Sequence, residues 1–191
     1  MKLPKYKYLL TYRYAEIIYQ LTVEFCQKFL LGNLSYLGNL GKIPTTRTTE
    51  QMIQAARSGK QNIVEGVSQQ ASVKGEIKLL GVSAASYEEL IADYEDYLRQ
   101  RKLAVWDKND PRVKRFRQIG IEATSLKLRE PKLPKLPRHP EEAANFMLTL
   151  CHIQTFLLSR QIKSTEEKFI REGGYTEKLF QKRLEARRSL S

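Results

Sequence analysis

The chain has 191 residues, 41% of them apolar, which is enough for one domain with a sizeable core and too many for wholesale disorder. Its 33 Lys and Arg against 21 Asp and Glu give a net charge of +12, a balance that bears on partners rather than on fold. No apolar run approaches the roughly 18 residues that span a bilayer, and the basic start Met1–Lys7 lacks the apolar core of a secretory signal, so a cytoplasmic protein without a membrane partner is expected.

A first helix is expected over 6–31, where Leu10, Tyr14, Ile17, Leu21, Phe25 and Phe29 recur at steps of three or four and make one apolar stripe. Gly32 and Asn33 suit its end, and Gly38, Gly41 and Pro44 mark a loop. A second helix is expected from Thr48, which with Gln51 fits a capping box. Met52, Ala56, Gly59, Ile63 and Val67 share one of its faces. Gly59 and Gly66 each cost about 1 kcal/mol relative to Ala inside a helix. Such glycines point to close approach by a neighbouring backbone, or to a helix end near Gly66.

The third helix, 74–101, carries the clearest pattern. Ile77, Leu80, Ala84, Tyr87, Ile91, Tyr94 and Leu98 alternate steps of three and four, a heptad seam suited to near-parallel packing of helices. Glu88, Glu89, Asp93, Glu95 and Asp96 occupy the other faces and read as solvated surface.

An insert over 102–139 follows. Trp106-Asp107 leads to Asp110-Pro111, a start for a short basic helix through Arg112, Lys114, Arg115 and Arg117. Prolines 131, 134, 137 and 140 then recur every third residue, the period of polyproline II. That conformation puts the prolines on one edge, Lys132, Lys135 and Arg138 on a second, and Leu133, Leu136 and His139 on a third. Two compatible readings follow: a stiff strap with its leucines down, and a contact strip for nucleic acid. Residues 99–139 hold thirteen Lys and Arg against four Asp and Glu, whereas 48–98 hold four against eight.

The fourth helix is expected from Pro140, with Glu141 and Glu142 at the positive end of its dipole, to a stop at Gly173-Gly174. Ala143, Phe146, Leu150, Ile153 and Leu157 form its stripe, widened by Met147, Cys151 and Leu158. So wide a stripe suits contact with two neighbours, one of them another subunit. A last helix, 176–188, has Leu179, Phe180 and Leu184 on one side and Lys178, Lys182, Arg183 and Arg187 around the rest. The expected architecture is all-α: an antiparallel up-down-up-down four-helix bundle over 1–172, including the insert, with a basic tail helix over 173–191.

Little here suggests catalysis. His139 and His152 are the only histidines, the first in a linker and the second in an apolar run that suits a core or interface residue. Neither stands in a Glu-x-x-His pair, and the chain has no Cys-x-x-Cys, phosphate-binding loop or nucleophile elbow. Cys26 and Cys151 read as core thiols. No enzyme activity, metal site or cofactor is expected.

Two boxes carry a resemblance. The first is Arg57-Ser58-Gly59-Lys60-Gln61-Asn62-Ile63-Val64-Glu65-Gly66; the second runs from Glu76 through Ala84-Ala85-Ser86-Tyr87-Glu88-Glu89-Leu90. Together they resemble the four-helix-bundle family of proteins encoded within intervening sequences of bacterial large-subunit ribosomal RNA, which the accessory variability proteins of diversity-generating retroelements also resemble. Val64 stands where that family usually has Ala. The resemblance covers residues 8–100 and 141–163; the insert and the tail lie outside it. It implies an up-down-up-down bundle assembled into a ring-like homo-pentamer and, in the retroelement branch, binding to nucleic acid and to a reverse transcriptase. Read from the residues themselves, Arg57, Asn62, Glu65 and Gly66 suit structural roles, Arg57 reaching a carboxylate on a neighbouring helix or subunit and Asn62 holding a loop carbonyl; the alternative for Arg57, Asn62 and Glu65 is contact with a ligand.

The expected function is therefore a non-catalytic, self-associating scaffold that binds RNA or another nucleic acid, as an accessory to a reverse transcriptase. The alternative is a protein–protein adaptor without direct nucleic-acid contact. The residues expected to touch nucleic acid are Arg112, Lys114, Arg115, Arg117, Lys132, Lys135 and Arg138 in the insert and Lys182, Arg183 and Arg187 in the tail. Trp106, Phe116, Tyr175 and Phe180 lie beside cations, where they either stack on unpaired bases or pack the insert down.

Overall fold

The computed structural model describes residues 3–31, 47–68 and 72–188, and the regular structure among them is all helical. Gly32, Asn33, Gly38, Gly41 and Pro44 lie outside the described residues. A 3-10 turn at Lys5–Tyr8 precedes α1, Leu10–Phe25, which runs on through a wider π turn at Cys26–Leu30. Then come α2, Arg47–Ser68; α3, Val73–Gln100; α4, Pro111–Ala123; α5, Pro140–Glu172; and α6, Tyr175–Arg188. Among the described residues no helix is long and apolar enough to cross a membrane.

Helix α1 packs on α2 and α5, and α3 packs on α2 and α5, so each of these four helices has two partners. Helix α4 lies on the outside of α5. The core is aromatic where α1 meets α3. Phe25 makes edge contacts with Tyr94 and Tyr97 at centroid distances of 5.0 and 4.9 Å, and the Tyr94 hydroxyl donates to Thr22 Oγ1 at 3.0 Å. Along the α3 seam Leu80, Tyr87, Ile91, Tyr94 and Leu98 are buried, as the heptad spacing predicts, with Ile77 and Ala84 half-buried at its edge.

The glycines of α2 mark close contact with α3. A Cβ on Gly59 would stand 2.7 Å from the Tyr87 ring, and Ser83 Oγ donates to the Gly59 carbonyl at 2.8 Å. A Cβ on Gly66 would stand 3.4 Å from the Glu76 carbonyl oxygen. At Gly66 the close neighbour is a backbone, as expected, whereas at Gly59 it is the Tyr87 ring.

Several boundaries differ from the sequence reading. Leu9 is extended, so the expected helix from residue 6 is broken there and starts again at Leu10. The break leaves the Lys7 carbonyl open to the Arg13 guanidinium, which donates to it at 3.4 Å. Leu10 is exposed rather than on the buried stripe. Helix α2 already includes Arg47, so Thr48 sits in its first turn instead of capping it. The cap of α3 is Ser72, whose hydroxyl accepts from the Gly75 N–H at 3.1 Å. Helix α5 stops at Gly173, whose φ of +69° only glycine adopts readily.

The wide stripe of α5 finds a third partner, beyond α1 and α3, inside the chain. Every residue from Ala143 to Cys151 is buried, more than one helix face can supply. Helix α4 covers the outer side with Val113, Phe116, Gly120 and Ala123, spaced by three and four. Phe116 meets Phe146 at 4.9 Å. The width read as a subunit contact is thus met there by the chain's own insert.

Candidate nucleic-acid interface

The insert is anchored at three points, and they determine which of its cations face outward. The first is Trp106. Its backbone N–H donates to Asn145 Oδ1 at 2.8 Å, and its indole N–H donates to Glu141 Oε1 at 2.8 Å. Asn145 Nδ2 returns a bond to the Ala104 carbonyl at 2.9 Å. One indole face stacks on Phe116, with centroids 5.9 Å apart and planes 14° apart. The Arg112 guanidinium lies 3.5 Å from the indole ring centroid. Arg112 is also held by Asp110 through bonds of 3.0 and 2.8 Å. The donated bonds hold the Glu141 and Asp110 carboxyls below the usual carboxylate range, from Trp106 and Arg112 respectively. Trp106 and Phe116 therefore pack the insert and are not offered to bases, and Arg112 is tied to its own helix start.

The second anchor is Arg13, buried in α1 at 1% exposure. It donates to the Leu128 carbonyl at 2.7 Å and the Ser125 carbonyl at 3.1 Å, so it fixes the turn after α4. No carboxylate forms an ion pair with it among the described residues, and its hydrogen bonds go to carbonyls. Arg13 falls between stripe positions in the helical pattern, and only its long-range partners distinguish it from a surface arginine.

The third anchor is the proline segment. Pro131, Pro134 and Pro137 are half-buried, and Lys132, Lys135 and Arg138 are all exposed. The leucine edge divides: Leu136 is 5% exposed and joins the core, but Leu133 is 44% exposed. The expectation of both leucines facing down is corrected, since the segment rests on its prolines and on Leu136. The Lys28 ammonium donates to the Pro137 carbonyl at 3.3 Å, and Lys132 N–H donates to the Ala123 carbonyl at 2.8 Å. Upstream, Lys7 pairs with Glu130 at 2.9 Å.

Of the remaining expected contacts, Lys114 and Arg115 are exposed on α4, and Arg117 is half-buried at the rim of a groove beside α5. Lys182, Arg183 and Arg187 are exposed on α6, which has no buried residue, and Tyr175 and Phe180 are exposed beside them. His152 is exposed on the same groove rim as Arg117, not in the core. Cys26 and Cys151 are buried free thiols; burial pushes Cys26 up to about 12. Among the described residues no cluster of three His, Cys, Asp or Glu is placed to hold a metal ion.

The residues of the first box are set apart from this surface. Arg57 and Glu65 are exposed, and Arg57 forms no ion pair among the described residues. Asn62 donates to the Ser58 carbonyl at 2.9 Å within its own helix rather than to a loop. The cation that links α2 to α1 is Lys60, 3.4 Å from Glu16 and 4.2 Å from the Tyr19 ring centroid. The chain matches no protein-family model, no curated protein and no solved structure.

Proposed function

We propose that the chain is a non-catalytic scaffold that binds RNA or another nucleic acid through the strap over 131–138, and that it does so as a self-associated assembly. The observation carrying this reading is the orientation of that strap: Lys132, Lys135 and Arg138 all face solvent while the prolines between them rest on the helices. At about 3.1 Å rise per residue, polyproline II spaces side chains three apart by about 9 Å, and stiffness lowers the entropy lost on ordering them. Lys114 and Arg115 on α4 add to the same positive insert. In this reading α1, α2, α3 and α5 are the four helices of an up-down-up-down bundle. The resemblance carried by the two boxes favours a pentamer and a reverse transcriptase as protein partner.

The test is anisotropy of a labelled single-stranded RNA titrated with wild type and with a variant in which Lys114, Arg115, Lys132, Lys135 and Arg138 are all Gln. Wild type binds and the variant loses at least about tenfold in affinity at low salt. Equal binding by both would remove the strap from the account.

A further inference from the structure

We propose that the groove between α4 and α5 is a second recognition surface, which binds an acidic amphipathic segment of a protein partner and seats one of its apolar side chains beside Trp106. The groove encloses about 380 Å³. Val113 and Leu148 are buried in its floor beside the polar Asn145 and Thr149, whose side chains donate to the Ala104 and Asn145 carbonyls at 2.9 and 2.8 Å. Its walls expose two large apolar side chains, Val105 at 56% and Phe156 at 60%. Exposed apolar surface around a concavity is the usual mark of a binding site, and apolar anchors set in such pockets dominate binding energy.

Charge selects the occupant. Lys108 and Arg117 line the groove with His152, and no carboxylate lines it. Three carboxylates around Trp106 are engaged elsewhere. Asp107 accepts from the Asn109 N–H at 2.8 Å, Asp110 holds Arg112, and Glu141 holds the indole N–H. Neither Lys108 nor Arg117 forms an ion pair among the described residues. Apolar side chains in floor and walls, buried polar groups already bonded, and cations without carboxylates in the lining fit a leucine or phenylalanine flanked by Asp or Glu. A nucleic-acid strand fits less well, because the indole already carries the Phe116 ring and the Arg112 guanidinium as stacking partners.

Trp106 is the only tryptophan in the chain, so it reports on the groove directly. The probe is a Trp-free peptide with a Leu-Leu pair between runs of glutamate, titrated at low salt while Trp106 emission is followed. Saturable binding is expected, with Phe156→Ser and Lys108→Gln each weakening it about tenfold. Both side chains are exposed, so both variants keep their helical circular dichroism; Arg117→Gln gives a further check. The variant that removes Lys132, Lys135 and Arg138 should bind the peptide as wild type does, which separates this surface from the strap. Three results would overturn the proposal. One is a glutamate peptide without leucines binding equally well. Another is a Trp106 response to single-stranded RNA that Phe156→Ser abolishes, which assigns the groove to nucleic acid. The third is a smaller assembly on Phe156→Ser, which assigns it to a second copy of the chain.

Discussion

Single residues decide how tightly the insert and the helices are joined, and the least legible of them is Arg13. An arginine between stripe positions looks like a surface charge, and its role follows only from carbonyls more than a hundred residues away. Hydrogen bonds to a charged group contribute about 1.5–3 kcal/mol each, and their loss leaves buried acceptors unmet. Arg13→Ala should therefore lower the unfolding free energy by about 3 kcal/mol and speed proteolysis near Ser125, both read in urea and limited-digestion series. Arg13→Lys should recover only part, because one ammonium cannot reproduce the fork. A loss below about 0.5 kcal/mol would show that Arg13 is not the anchor. The glycines give a paired test. Gly59→Ala gains about 1 kcal/mol of helix propensity but drives a methyl into the Tyr87 ring, so a net loss of about 1–3 kcal/mol is expected. Gly81→Ala meets no atom within 4 Å, and a gain of up to about 1 kcal/mol is expected. A close neighbour at Gly59 was readable in the sequence; that this neighbour is the Tyr87 ring was not.

At the scale of elements, α3 was the easiest to read, because its seam obeys one period and packs between two helices as that period requires. Helix α5 was read correctly in extent but not in its surroundings. A wide apolar face says that a further partner exists, and hydrophobicity alone does not say whether that partner is another subunit or another element of the same chain. The deciding signal was present in α4, where Val113, Phe116, Gly120 and Ala123 recur at helical spacing beneath a conspicuous basic pattern. The insert also carries a pH-sensitive contact. The indole N–H holds Glu141 below the usual carboxylate range, and Arg112 does the same for Asp110. A folded-state pKa below the unfolded value gives stability that is present above the unfolded value, about 4.3 for Glu, and is lost as pH falls through the folded one. Trp106 emission should therefore shift to the red on acidification below about pH 4, before helical circular dichroism is lost, and Glu141→Gln should abolish the separate step. Emission that changes only together with global unfolding would show that the indole tether adds nothing of its own.

For the molecule as a whole, charge is divided between an acidic stretch, 48–98, and a basic one, 99–139. The assembly proposed here should appear in native mass spectrometry at micromolar concentration as one discrete multiple of 22.2 kDa. A clean monomer would remove self-association from the account, while leaving the strap untouched. Of the candidate contact residues, the strap was legible in the sequence because a three-residue repeat of prolines has only one regular conformation to adopt. Arg112 was not, since its engagement depends on Asp110 and on an indole placed by α5. The central claim rests on the strap, and the salt dependence of RNA binding tests it most directly. Five phosphate contacts, from Lys114, Arg115, Lys132, Lys135 and Arg138, predict that log affinity for single-stranded RNA falls with log salt at a slope of about −3.5. The five-fold Gln variant should retain its helical content and lose most of that slope. An unchanged slope in the variant, or a wild type that binds no RNA at about 50 mM salt, would contradict the claim.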